Sequence, residues 1–269
     1  MRYLPFLLLL CWVPLVSATP LTTCDQSLGA GDYELPADLV CPGAHAVTLT
    51  GGVHVDLGGH QIVCNNFVPG PCVVLDGAGN TLKNGTVDGG THESITLGGD
   101  GMHTLLNVTI PLIDTALTVA SNANLIVGVT LNSTTSPALI LSGRGNWLVK
   151  TTALCPFSVR SCVDVRGASN ILFWTLAVVE EGFLDGVAAL DVPGNGNWLF
   201  GSRVVNLDGI GVRVSGEGNT LQDTTAMGST VDVLDTHGDC THTTWSGTFA
   251  RTATPTCIAL PIIPTVVQR

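Results

Sequence analysis

Four residues in the second half of the chain carry side chains suited to joint chemistry: Asp164, Asp191, Arg213 and Asp232. Each sits between two aliphatics, as in Val163-Asp164-Val165, Leu190-Asp191-Val192, Val212-Arg213-Val214 and Val231-Asp232-Val233. That alternation predicts strands whose flanking residues point inward and whose charged residue points out. If these strands stack, the outward row reads carboxylate, carboxylate, guanidinium, carboxylate. Asp164 and Asp191 would then repel one another unless they shared a cation or a proton. Ca²⁺, which takes several oxygen ligands, suits such a row, with Asp164, Asp191 and Asp232 as the metal ligands. The competing expectation is a surface salt-bridge ladder in which Arg213 neutralises Asp191 and Asp232.

Three other groupings stand out. Glu180, Glu181, Asp185 and Asp208 cluster in turns, and Glu181 and Asp208 fall at the same phase of the repeat described below. Paired carboxylates serve glycoside hydrolysis, although acidic residues are also ordinary turn formers. The run Asp235-Thr236-His237-Gly238-Asp239-Cys240-Thr241-His242 gathers two carboxylates and two imidazoles, and is expected to form a capping turn. Leu125, Trp147, Ile171 and Trp198 make an apolar outward strip, with Trp147 and Trp198 as candidate binding residues. Indole faces suit sugar rings, whose C–H groups pack on an aromatic plane. The alternative is that the apolar tail from Ile258 to Val267 covers the strip.

A repeat of about 22 residues must position all of these. Asn or His recurs at His60, Asn80, His103, Asn124, Asn146, Asn170, Asn197 and Asn219, and two residues after each comes Ile or Leu. Paired aliphatics precede each one. No stretch after the N-terminus sustains the spacing of an amphipathic helix. Each unit holds two clear strands and a third expected around Val87, Ile110, Leu131, Leu154, Val178 and Val205. So small a unit cannot bury its apolar face alone, so the units must stack, about eight coils in all. Side-chain amides of Asn80, Asn124, Asn146, Asn170, Asn197 and Asn219 would then form a hydrogen-bonded ladder about 4.8 Å per step. The fold class expected is all-β, a single-stranded parallel β-helix.

Composition bounds partner and compartment. The 269 residues carry 10 Lys+Arg against 21 Asp+Glu, a net charge of -11, so a phosphate-tracking surface and nucleic-acid binding are excluded. Arg2, the apolar run from Leu4 to Val16 and the small residues Val16-Ser17-Ala18 read as a cleaved signal peptide, giving a secreted, periplasmic or cell-surface protein. The run is too short to span a bilayer, and no membrane span is expected after cleavage. Eight cysteines remain, in sequence-local couples: Cys24 with Cys41, Cys64 with Cys72, Cys155 with Cys162, and Cys240 with Cys257. An even number in an oxidising compartment favours disulfides. Asn84, Asn107 and Asn132 head glycosylation sequons, the first two at one turn position on neighbouring coils.

With these features in place, the chain resembles the secreted right-handed parallel β-helix proteins of the pectin-lyase-like superfamily. The likeness rests on Cys24 through Cys41-Pro42-Gly43, on Val55-Asp56-Leu57-Gly58-Gly59-His60, and on Cys240 through Phe249 followed by Cys257-Ile258. The chain then divides into a signal peptide at 1–18, an N-terminal cap at 19–50, β-helix repeats at 51–236 and a C-terminal cap and tail at 237–269. Some polysaccharide lyases of this superfamily use Ca²⁺ with a basic residue that removes a uronate proton, which here would give Arg213 and Asp191 catalytic roles. Fold does not fix function. The expected function is a non-catalytic module for extracellular polysaccharide or cell-surface protein, the calcium-assisted lyase being its rival.

Overall fold

The computed structural model describes residues 17–258 apart from 66, 68, 90–92, 135–136, 159, 183–185, 240 and 257. Most of the expected signal peptide, Asp185, Cys240, Cys257 and the tail beyond Ile258 lie outside the described residues. The described chain is all-β, without a helix, and its strands pair in parallel into two sheets. An eleven-stranded sheet contains Gln26–Leu28, Val47–Leu49, Val73–Leu75, Glu93–Leu97, Thr115–Val119, Leu139–Leu141, Val163–Val165, Ala188–Val192, Ile210–Val214, Val231–Asp235 and Ala253–Thr254, in chain order. An eighteen-stranded sheet carries the other strands of each coil, such as Trp147–Val149 followed by Thr152–Ser158. This is a parallel β-solenoid.

The winding exceeds the eight coils expected, because it begins earlier. Val47–Leu49, and not Val53–Val55, pairs with Val73–Leu75. Val53–Asp56 belongs to the other sheet, between Gly31–Glu34 and Thr81–Lys83. His60 is therefore no member of the Asn file, and His54 lies opposite Thr81 instead of beside Val74.

Aliphatics line the interior in files. Leu82, Leu105, Ile126, Leu148, Leu172, Leu199 and Leu221 are all fully buried, each such side chain contributing about 1.5–3 kcal/mol. The third strand is present, with one correction. Its inward file is Leu131, Ala153, Ala177, Val204 and Ala226, whereas Leu154, Val178 and Val205 lie one position along and face outward, half-buried.

Asn124, Asn146 and Asn170 stand in single file with the rest of the ladder, all buried. Each Asn Oδ1 accepts the backbone N–H of the coil before it, at 2.9 Å for Asn124 to Asn146, Asn146 to Asn170 and Asn170 to Asn197. The side-chain amides also donate to the next Oδ1, at 2.8, 3.0 and 3.1 Å along the same series. His103 takes one rung: its N–H donates to Asn124 Oδ1 at 2.8 Å, while its Nδ1 faces the Asn80 N–H at 3.3 Å. Three residues before the Asn, Gly143, Gly167, Gly194 and Gly216 pack so closely that an added Cβ would meet a carbonyl oxygen of the preceding coil at 1.8–2.0 Å. Close approach demands glycine there.

Three of the expected disulfides are formed, Cys24–Cys41, Cys64–Cys72 and Cys155–Cys162. The last two close loops of 8 and 7 residues of sequence separation, each worth about 2–3 kcal/mol by chain entropy. The fourth couple, Cys240 with Cys257, lies outside the described residues.

Candidate functional site

The structure assembles part of the ionic row. Asp164 lies opposite Asp191, and Asp191 opposite Arg213. Arg213 donates through Nε to Asp191 Oδ1 at 3.0 Å and through Nη2 to Oδ2, a two-pronged clamp. Arg166, two residues along from Asp164, donates to it through Nε at 2.8 Å and Nη2 at 2.6 Å. The hydrogen bonds to these carboxylates, outweighing burial, raise both guanidinium pKa values above the ordinary range. Each carboxylate is thus held by its own guanidinium.

Asp232 is not in that row. Arg213 pairs in register with Leu234, and Asp232 is fully buried two positions earlier in the same strand, Val231–Asp235. There it accepts the backbone N–H groups of Gly228 at 2.6 Å, Arg251 at 2.5 Å and Thr252 at 2.9 Å, and the Arg251 guanidinium at 3.1 Å. Burial opposes its charge, but these donors outweigh burial and lower its pKa. Of the expected Ca²⁺ ligands, Asp164 and Asp191 are neighbours already held by Arg166 and Arg213, and Asp232 lies apart from them, so this donor set does not fit the ion. Among the described residues, no three His, Cys, Asp or Glu side chains converge as a metal site.

The remaining polar groupings resolve locally. His237 Nδ1 lies 3.0 Å from the buried Asp235, its ring 4.6 Å from that of His242, and His242 Nε2 lies 3.6 Å from Asp239. Glu180, Glu181 and Asp208 are exposed. Asn84 and Asn107 do share a turn position. Both have positive φ, Asn107 Nδ2 lies 3.4 Å from Asn84 Oδ1, and Asn84 Nδ2 donates to Asp56 at 3.2 Å. Asn132 is half-buried on a strand opposite Leu154.

The apolar strip is assembled as expected and proves wider. Two outward files run side by side along the strands that follow the ladder. The first reads Asp32, His54, Thr81, Thr104, Leu125, Trp147, Ile171, Trp198, Thr220, Thr244. The second reads Glu34, Asp56, Lys83, Leu106, Val127, Val149, Phe173, Phe200, Gln222, Ser246 in the same registers. Trp147 is 54% and Trp198 43% exposed, so their indole faces are open to solvent in the described chain.

The second file supplies what sequence reading missed. Phe173 and Phe200 stack at 4.8 Å and 11°, and Trp198 meets Phe200 edge-on at 6.4 Å. Trp174, half exposed, extends the surface at the adjoining turn, with Lys150 Nζ 5.7 Å above its ring. A Cβ on Gly201 would come within 2.6 Å of Trp174 Cδ1, so the glycine gives the indole its resting place. The signal was available: two residues after each outward Trp or Ile comes Val149, Phe173 or Phe200, the same face by strand periodicity.

At its N-terminal end this face opens into a cleft of about 500 Å³. Asp32, Glu34, His54, Asp56, His60 and Lys83 line it. Lys83 Nζ lies 3.1 Å from Asp56, and His60 Nδ1 lies 3.4 Å from Asp38. Burial works against the Asp56 charge, but the Gly58 N–H, Lys83 and Asn84 hold its pKa below the ordinary value.

In fold the chain is similar to the Dettilon tailspike protein. The crystal structure of that protein matches with a TM-score of 0.55 over 86% of this chain and 56% of that one, at 10% sequence identity. This chain thus spans a little over half the length of that tailspike chain, and at such identity the likeness concerns fold alone. No family model matches the sequence, and no curated protein matches it. What the comparison supports is a parallel β-helix fold.

Proposed function

We propose that this protein is a secreted, non-catalytic β-solenoid that binds extracellular glycan through its aromatic face. One observation carries the reading: Trp147, Ile171, Trp198, Phe173 and Phe200 stand in two adjacent outward files, with Trp147 and Trp198 open to solvent. Contiguous exposed apolar surface rimmed by polar residues is a mark of interaction sites. A flat aromatic surface that keeps two indole planes two strands, or about 9.6 Å, apart suits rings that stack through C–H groups. Export is supported by the signal-like N-terminus and by three disulfides. The ionic row takes a structural role in this reading, since both of its carboxylates are already neutralised.

Calorimetric titration with a panel of soluble oligosaccharides tests the proposal. Trp147→Ala and Trp198→Ala should each weaken binding about tenfold, while Ca²⁺ or a chelator leaves affinity unchanged. A panel without a binder, or full affinity in both Trp variants, overturns it.

A further inference from the structure

The two outward files do not stop at the aromatic stretch. Toward the N-terminus the same registers pass through Thr81, Thr104 and Lys83 to Asp56, and end on Asp32 and Glu34 in the cleft. Ten rungs, about 4.8 Å apart, make one surface of roughly 43 Å along the solenoid axis. Its two ends differ in chemistry: one offers ring faces, the other carboxylates. Lys83 is engaged by Asp56, whereas Asp32 and Glu34 are exposed.

We propose that a single elongated ligand lies along this face, parallel to the axis, and that it is a glycan bearing free amino groups. The assignment rests on the glycan reading above and adds its charge class and direction. Ring C–H faces would stack on Trp147 and Trp198, while ammonium groups at the other end meet Asp32 and Glu34. A uronate polymer is disfavoured because the cleft holds three carboxylates against one lysine, on a chain of net charge -11. A basic peptide would satisfy the acidic end equally well. However, the face is the middle of a sheet whose backbone groups are already paired, so a peptide could not dock there by adding a strand. The surface is a continuous ribbon, which matches a polymer repeating the same ring, hydroxyl and amine along its length.

The test is titration calorimetry at low salt with four probes: a glucosamine hexamer, its fully N-acetylated counterpart, a galacturonate hexamer and hexalysine. The glucosamine hexamer should bind about three- to tenfold more tightly than the acetylated one, the range expected for two exposed charge pairs. The galacturonate hexamer should bind weakest, and the amine preference should shrink as salt is raised. Asp32→Asn with Glu34→Gln should abolish the preference and leave the affinity for the acetylated hexamer unchanged. Both side chains are exposed, so the fold is expected to survive, which circular dichroism checks.

An unchanged preference in that double variant overturns the acidic-end assignment and leaves the glycan reading standing. Loss of binding in Trp147→Ala, five rungs or about 24 Å from Asp32 and so within reach of one hexamer, for both amino-sugar hexamers supports the shared face. Retention of both overturns the glycan reading itself. Hexalysine binding as tightly as the glucosamine hexamer, and insensitive to Trp147→Ala, replaces the glycan with a basic peptide. If none of the four binds, the amino-glycan assignment falls, and the wider oligosaccharide panel decides the glycan reading.

Discussion

Two outward rows of this solenoid are built by the same geometry and end in opposite conditions. Asp164, Asp191 and Arg213 stack on consecutive strands of the eleven-stranded sheet, as Trp147, Ile171 and Trp198 do on the other. In the ionic row every charge finds its complement within the protein, Asp164 in Arg166 and Asp191 in Arg213. In the aromatic row Phe173 and Phe200 stack on each other and Trp198 meets Phe200 edge-on, while Trp147 and Trp198 stay about half exposed. Charged residues attract attention in a sequence, yet charges stacked one coil apart can satisfy one another. Trp147 and Trp198, two coils apart with Ile171 between them, cannot cover one another. The row left open to solvent is the one whose neighbours cannot complete it.

The comparison breaks most sharply at Asp232, placed in the ionic row by alternation and inside the molecule by the structure. Its carboxylate gathers three backbone N–H groups and the Arg251 guanidinium. Asp232→Ala strands those donors and should cost about 3–5 kcal/mol, read as a lower urea midpoint. Because the folded-state pKa of Asp232 is depressed, its contribution is present above the unfolded value near 3.9 and is lost as pH falls through the lower folded value. The gap between wild type and variant should therefore narrow in acid. An equal gap at pH 7 and in strong acid would contradict the carboxylate's role.

Arg213→Ala and Trp198→Ala should separate the two rows in opposite senses. The first leaves Asp191 beside Asp164 without its guanidinium and should cost about 1–2 kcal/mol of stability, discounted because Arg213 is partly exposed. Glycan affinity should stay within twofold. The second should lower affinity about tenfold and change stability by less than about 1 kcal/mol. If Arg213→Ala abolishes glycan binding at intact fold, the ionic row belongs to the site and the contrast fails.

Periodicity made the interior legible in the sequence. The Leu and Ile files, the Asn ladder and the Asp164-Asp191-Arg213 adjacency follow from a repeat that places like residues on like positions, and three disulfide couples follow from the nearness of their cysteines in sequence. It failed where two frames satisfied the same alternation. Val231-Asp232-Val233 and Val233-Leu234-Asp235 are both strand-like, and the second prevails because a buried Asp235 takes an inward place that the pattern reserved for an aliphatic. Val53-His54-Val55 likewise competes with Val47-Thr48-Leu49. Choosing the former left Gly31–Glu34 unread as a strand, and with it the acidic end of the outward face.

The smallest expected effect concerns the one ladder rung that is not Asn, and it sharpens the contrast between satisfied and unsatisfied rows. His103 Nδ1 faces the Asn80 N–H and so must accept, while Nε2 lies 2.8 Å from the Gly98 carbonyl and so must donate. Protonation would set an Nδ1–H against that N–H. Burial, only partly offset by the Gly98 carbonyl and Asp76, lowers the His103 pKa below its ordinary 6.5. Below about pH 6.5 the unfolded chain takes a proton that the folded chain refuses, so stability is full above that pH and declines as pH falls toward the folded value. His103→Asn supplies an amide that does not titrate, as at the other rungs. Wild type and variant should agree within about 1 kcal/mol at pH 7.5, and the variant should be the more stable by a growing margin toward pH 5. The other histidines are common to both proteins and cancel in the difference, and Asp232 titrates well below this window. Urea midpoints that fall in parallel from pH 7.5 to 5 would show that His103 accepts its proton in place, and that this rung is satisfied in both charge states.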